Sequence, residues 1–238
     1  MKKNILITFI LGTVFIYGLL VGKKEIFPYE LIRYTKNIIV PNEINLEEKS
    51  PDYIKKIRLY KTYMNNNIPK IVMLGDSITN GCNWNELLKR SDMINRGIGG
   101  DTTYGIFQRL DTINPGSIKK AFIMAGINDI SKYQNVQDIF YRYVKIISYM
   151  KQNNIQPYIQ STLFVGAKRK EFKEWNLKVS KLNTLLEKFS VENNIEYIDL
   201  NLKLSQDNLL LEEYHNGDGV HLSEKGYIVW KNILNKYL

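Results

Sequence analysis

The chain has 238 residues, a formal charge of +9, and 44% hydrophobic against 24% charged residues, a balance that suits one folded domain and excludes a disordered polyelectrolyte. Its single cysteine, Cys82, excludes an internal disulfide, and with His215 and His221 as the only histidines no Cys/His cluster has the spacing of a zinc site. The lysines are scattered (Lys145, Lys151, Lys178, Lys181, Lys188), and the densest run past the N-terminal region is Lys168-Arg169-Lys170. Such a charge reads as solvated surface, and no nucleic-acid partner is expected.

Asn4 to Gly22 holds no charged residue and is flanked by Lys2, Lys3, Lys23 and Lys24. At about 1.5 Å of rise per residue, a helix of this length matches the hydrocarbon thickness of a bilayer. Residues 1–24 are therefore expected to form an N-terminal signal anchor, with the remainder of the chain outside the cytoplasm. The alternative is a secreted protein whose signal peptide is cleaved, although Gly18 to Gly22 makes a poor small-x-small cleavage site.

Residues 25–66 read as a stalk and a packing helix. Pro28, Pro41 and Pro51 punctuate this region, and Ser50-Pro51 is an N-cap and first-turn pair opening a helix through Met64. Residues 67–238 then alternate strand and helix. Lys70–Leu74, Lys120–Met124, Pro157–Gln160 and Ile195–Asp199 are short apolar strand candidates, with a fifth near Asp92–Asn95.

Between them, Glu171 to Glu192 places Phe172, Trp175, Val179, Leu182, Leu186 and Phe189 on one stripe. Asp138 to Lys151 does the same with Ile139, Tyr143, Ile146, Ile147 and Met150, and a last helix is expected from Ser223 to Leu238. The pattern predicts a three-layer α/β/α sandwich around a doubly wound, mostly parallel, flavodoxin-like sheet of five strands. In such folds ligands sit outside the carboxyl ends of the strands.

Four motifs carry chemistry, three of them where a strand or strand-like segment stops. Gly75-Asp76-Ser77 leaves a strand through a turn with little bulk, so Ser77 can present its hydroxyl as a nucleophile and its own N–H to an oxyanion. The bland alternative is that Asp76 and Ser77 cap a helix. The glycine-rich loop around Gly99-Gly100-Asp101 opens a helix running to about Leu110; no Gly-Lys-Ser/Thr follows it, so it is not a phosphate cradle of the P-loop kind. Gly100 offers a close backbone N–H, and Asn128 of Gly126-Ile127-Asn128-Asp129 offers a side-chain donor.

In Asp218-Gly219-Val220-His221 the carboxylate can accept from one ring nitrogen of His221 while the other takes a proton from Ser77. His215 reads as a surface residue. Trp84 and Tyr104 are candidates to line a sugar or acyl subsite, against the simpler expectation that they belong to the core.

From Ile71 to the C-terminus the chain resembles the SGNH hydrolases, also called the GDSL lipase/esterase family, with all four of that family's blocks in order. The stretch from Asn95 through Thr103, with Arg109-Leu110 beyond it, looks most like the platelet-activating-factor acetylhydrolase branch. One departure is Ile78, where the family name expects leucine. The resemblance implies Ser77 as nucleophile, His221 as base with Asp218 orienting it, and an oxyanion hole of Ser77, Gly100 and Asn128. It implies no metal or organic cofactor. The expected reaction is removal of a short acyl group, acetyl first, from a carbohydrate or lipid ester. An acyltransferase, a thioesterase or an inactive membrane-tethered binding protein on the same scaffold are the alternatives.

Overall fold

The computed structural model describes residues 49–65 and 69–238. The expected anchor, the stalk up to residue 48, and the boundary between residues 66 and 67 lie outside the described residues. Among those described, no helix is long and apolar enough to cross a membrane.

Helix α1, Pro51–Thr62, begins as its sequence dictates: Ser50 accepts the Tyr53 N–H at 3.3 Å, and Pro51 occupies the first turn, where its missing donor is harmless. A 3₁₀ turn at Tyr63–Asn65 follows. Tyr53, Ile57 and Tyr60 bury one stripe of α1 against Ile98, which tethers the helix to the loop after the second strand. The Tyr60 hydroxyl donates to the Gly97 carbonyl at 2.8 Å.

The five strands are β1 (Ile71–Gly75), β2 (Met93–Gly97), β3 (Lys120–Met124), β4 (Gln156–Gln160) and β5 (Glu196–Ile198). They form one parallel sheet in the order β2-β1-β3-β4-β5, the flavodoxin-like arrangement. Every residue of β1 is buried, as expected for a central parallel strand covered on both faces. The edge strand β2 runs two residues beyond its predicted end. Asn95, Arg96 and Gly97 pair with β1 although only Met93 and Ile94 look strand-like in sequence. Pairing to a fixed neighbour supplies what local propensity does not.

The connection from β1 to β2 moves one way along the sheet, and the later connections move the other way. Right-handed crossovers therefore place their helices on opposite faces. On one face α6 (Val136–Gln152) packs against both α4 (Thr103–Gln108) and α7 (Phe172–Glu192). On the other, α9 (Glu224–Leu234) packs against α3 (Trp84–Leu88).

The stripes behave as their periodicity demands: Trp175, Val179, Leu182 and Leu186 of α7 and Ile139, Tyr143, Ile146, Ile147 and Met150 of α6 are buried. Short elements escaped the sequence reading. They are α3, α5 (Ile127–Ser131), α8 (Asn201–Leu204) and an antiparallel ribbon of β6 (Ser205–Gln206) with β7 (Leu209–Leu210), whereas α2 (Ser77–Asn80) is the helix of the capping alternative. One or two turns are too short to show a period.

Candidate active site

The sheet order reverses direction at β1, and the crevice between β1 and β3 at their carboxyl ends is where such folds bind ligands. Ser77 follows β1 and opens α2, Gly100 lies in the loop after β2, and Asn128 sits in α5 just after β3. Three chain-distant motifs thus meet at one edge because three neighbouring strands end there.

Asp76 caps α2, its Oδ1 accepting the Ile78 N–H at 3.0 Å, so the capping role coexists with a half-buried Ser77 whose hydroxyl meets His221. The Asp76 side chain is fully buried and its Oδ2 has no partner among the described residues. Burial pushes its pKa up to about 7, with the Asp101 and Asp129 carboxylates adding to the shift.

His221 comes from the turn before α9 and reaches across the crevice. Its Nε2 stands 2.8 Å from the Ser77 hydroxyl oxygen, and its Nδ1 stands 2.5 Å from Asp218 Oδ2. Asp218 Oδ1 accepts the Val220 N–H at 2.7 Å and the His221 N–H at 2.9 Å, which fixes the carboxylate to its own turn. Partial burial pushes the Asp218 pKa up. The His221 ring and the two backbone N–H groups outweigh that effect and hold it below the ordinary carboxylate value. The pair is not sealed: the His221 and Asp218 side chains keep 41% and 42% of their surface exposed.

The candidate donors lie at the start of α2, in the loop after β2 and in α5 just after β3. The Ser77 and Gly100 backbone N–H groups donate to nothing among the described residues. Gly100 has φ 71, a conformation glycine adopts without strain, and a side chain built on it would meet open space, as expected of a loop facing a cleft. Asn128 uses its side-chain amide to donate to the Asp101 carbonyl at 2.9 Å, which holds the amide beside the Gly100 loop and leaves its second N–H.

Behind the loop lies a network that motif reading left out. Asp101 and Arg109 form an ion pair at 2.6 Å with no exposed side-chain surface. Arg109 also donates to the Gly75 carbonyl at 2.9 Å, and Asp101 accepts the Thr102 N–H at 3.0 Å. Asp129 accepts from the Thr103 N–H at 2.9 Å, the Thr103 hydroxyl at 2.6 Å and Arg142 at 3.1 Å, joining α4, α5 and α6. The signal was present, since Asp101 and Asp129 each close one of the quoted motifs.

For Trp84 the simpler expectation holds, and for His215 the expectation changes. Trp84 is 1% exposed, donates to the Thr79 carbonyl at 2.9 Å and packs edge-on against Trp230, so it is core and lines no subsite. His215 is buried rather than a surface residue. Tyr104 stays exposed on the first turn of α4, its hydroxyl accepting from Gln108 at 3.2 Å. No group of metal-binding side chains occurs among the described residues.

Residues 73–229 match the family model described as GDSL-like Lipase/Acylhydrolase. A Streptococcus pneumonia structure provisionally labelled a platelet activating factor is 26% identical, with a TM-score of 0.71 over 78% of this chain and 92% of that one. A structure from Bacteroides fragilis, provisionally labelled an acylhydrolase, is also 26% identical, with a TM-score of 0.64 over 75% of this chain and 93% of that one. Among curated proteins, the N-acylneuraminate cytidylyltransferase of Streptococcus agalactiae serotype III is 27% identical over 170 residues, 70% of this chain. The chain spans 38% of the length of that relative.

Proposed function

The chain belongs to the GDSL-like lipase/acylhydrolase family, and from that premise we propose that it is a serine esterase removing a short acyl group, acetyl first, from a carbohydrate or lipid ester. The observation that carries this is the line from Asp218 through His221 to Ser77, at 2.5 and 2.8 Å, ending beside unpaired backbone N–H groups.

Ser77 Oγ attacks the ester carbonyl carbon while His221 Nε2 takes its proton, and Asp218 holds the opposite ring nitrogen in the required tautomer. The tetrahedral oxyanion accepts from the Ser77 and Gly100 N–H groups and the Asn128 amide. Collapse expels the alcohol, which takes the proton back from His221. Water, activated by the same ring, then releases the acid from Ser77. No cofactor enters any step.

The exposed rim of the His221–Asp218 pair favours hydrolysis over acyl transfer, because transfer to another alcohol needs water kept out. A sugar as the alcohol portion is supported by the N-acylneuraminate in the name of the curated relatives. An acidic sugar would also suit a chain of +9 charge. We further propose that residues 1–24 anchor the protein in a membrane through the uncharged run Asn4 to Gly22, with residues 25–66 as stalk and packing helix and residues 67–238 as the hydrolase domain.

Fluorophosphonate labelling followed by peptide mapping tests the esterase. Label on Ser77 that disappears in His221→Ala is expected. A folded protein that takes no label would favour an inactive binding protein on the same scaffold.

A further inference from the structure

His215 stands where the turn carrying both Asp218 and His221 begins, and it is 6% exposed. Its Nδ1 accepts the Gly217 N–H at 3.0 Å and the Gly219 N–H at 3.3 Å. Besides the ring, His215 bridges Leu222 through its backbone, Asn216 donates its N–H to the His221 carbonyl at 2.9 Å, Gly166 donates to the Gly219 carbonyl at 2.7 Å, and the Asn216 side-chain oxygen accepts the Asp218 N–H at 3.3 Å. Gly217 and Gly219 are both left-handed, with φ 101 and 77. That geometry turns both N–H groups toward the ring, and the buried Gly219 N–H needs an acceptor there. One ring nitrogen serves both. Two N–H donors aimed at Nδ1 require a lone pair there, so the ring proton sits on Nε2.

We propose that His215 is a positioning residue for the reaction: its unprotonated Nδ1 sets the turn that presents the Asp218–His221 pair to Ser77. This rests on His221 acting as the base in the function proposed above. The link is direct, because Asp218 is held by the N–H groups of Val220 and His221 in the same turn, so the carboxylate follows the backbone. If the turn relaxes, His221 Nε2 moves away from the Ser77 hydroxyl, and misplacement of a reacting group by about 1 Å can lower the rate about a hundredfold.

A residue that merely fills the core would be replaceable by any side chain of similar bulk, and substitutions separate the two roles. In His215→Asn the side-chain oxygen falls near the place of Nδ1 and can accept from the N–H two residues on, as asparagine does in its own turns. In His215→Gln the oxygen lies one carbon farther, and in His215→Leu there is no acceptor.

The test measures kcat and KM on an aryl acetate for the full chain and the three variants, with amide hydrogen exchange at Gly217 and Gly219. Leu and Gln are expected to lower kcat roughly tenfold to a hundredfold with KM little changed, while Asn stays within about threefold of the parent. Gly217 and Gly219 should lose protection in Gln and keep it in Asn. Parental kcat in both Leu and Gln, or a loss in Asn as large as in Gln, overturns the proposal. Should the Leu variant fail to fold, the Gln and Asn comparison decides alone. Should the parent show no turnover, the esterase function fails, and hydrogen exchange still decides whether Nδ1 holds the turn.

Discussion

Asp101 and Arg109 meet at 2.6 Å with neither side chain exposed, and the same Asp101 holds Asn128 through its main-chain carbonyl at 2.9 Å. The pair therefore couples the buried layer to the cleft. Removing the cation leaves a buried carboxylate uncompensated, so Arg109→Leu is expected to lower stability by about 3–5 kcal/mol in chemical denaturation. In the fraction that folds, kcat should fall as well, because the Gly100 loop loses its support. Unchanged stability would mean that the pair is not shielded from water.

Asn128→Ala removes a donor without touching the nucleophile. Turnover of an aryl acetate is expected to drop on the order of a hundredfold to a thousandfold, with thermal unfolding little altered. Ser77→Ala should abolish turnover. Parental rates in either variant would reassign the site.

Replacing Asp218 by Asn offers the His221 ring an amide in place of a carboxylate. The ring then settles in the wrong tautomer, and kcat is expected to fall by roughly four orders of magnitude while the turn persists. A loss of about tenfold or less would mean that Asp218 acts only through its backbone hydrogen bonds.

Asp76 makes stability depend on pH. Its folded pKa of about 7 lies above the ordinary carboxyl value of 3.8, so the unfolded chain releases the proton first as pH rises. Stability is fully present below the ordinary carboxyl value and is lost progressively up to about pH 7, by roughly 4 kcal/mol in all. Asp76→Asn is neutral throughout. Urea unfolding should find it more stable than the parent at about pH 8 and similar near pH 4; equal curves at the higher pH would place the Asp76 proton elsewhere.

Gly97 tests how closely β2 approaches the helix that Ser77 opens. A Cβ there would meet the Asn80 nitrogen at 2.3 Å and the Asp76 carbonyl oxygen at 2.8 Å, both backbone atoms. Gly97→Ala is expected to destabilise by about 1–3 kcal/mol and to lower kcat by displacing Ser77. Full activity would show that α2 shifts freely.

The long elements were legible because burial imposes a period. The stripe of α6 and strand β3 could be read residue by residue, and that of α7 in its middle, while Phe172 and Phe189 at its ends are only half-buried. The candidate site residues were legible for another reason: Ser77, Gly100, Asn128, Asp218 and His221 each lie in a short motif whose residue types suit the chemistry proposed. What stayed hidden depends on partners distant in sequence. Arg109 reaches Gly75 across 34 positions, and nothing around it signals a buried cation. His215 looked like a loop residue because its acceptor role requires two left-handed glycines that only the folded turn reveals.

Ser77 and His221 are separated by 144 positions, and the helix after His221 is what brings them together. Tyr227 of that helix donates to the Ile78 carbonyl at 2.7 Å, and Trp230 donates to Gln160 at 2.6 Å. A nascent chain growing from its N-terminus therefore carries Ser77 long before it has His221. Until the helix after His221 emerges and docks, the proposed nucleophile has no base beside it, so the reaction proposed for this site waits on a segment made 144 positions later.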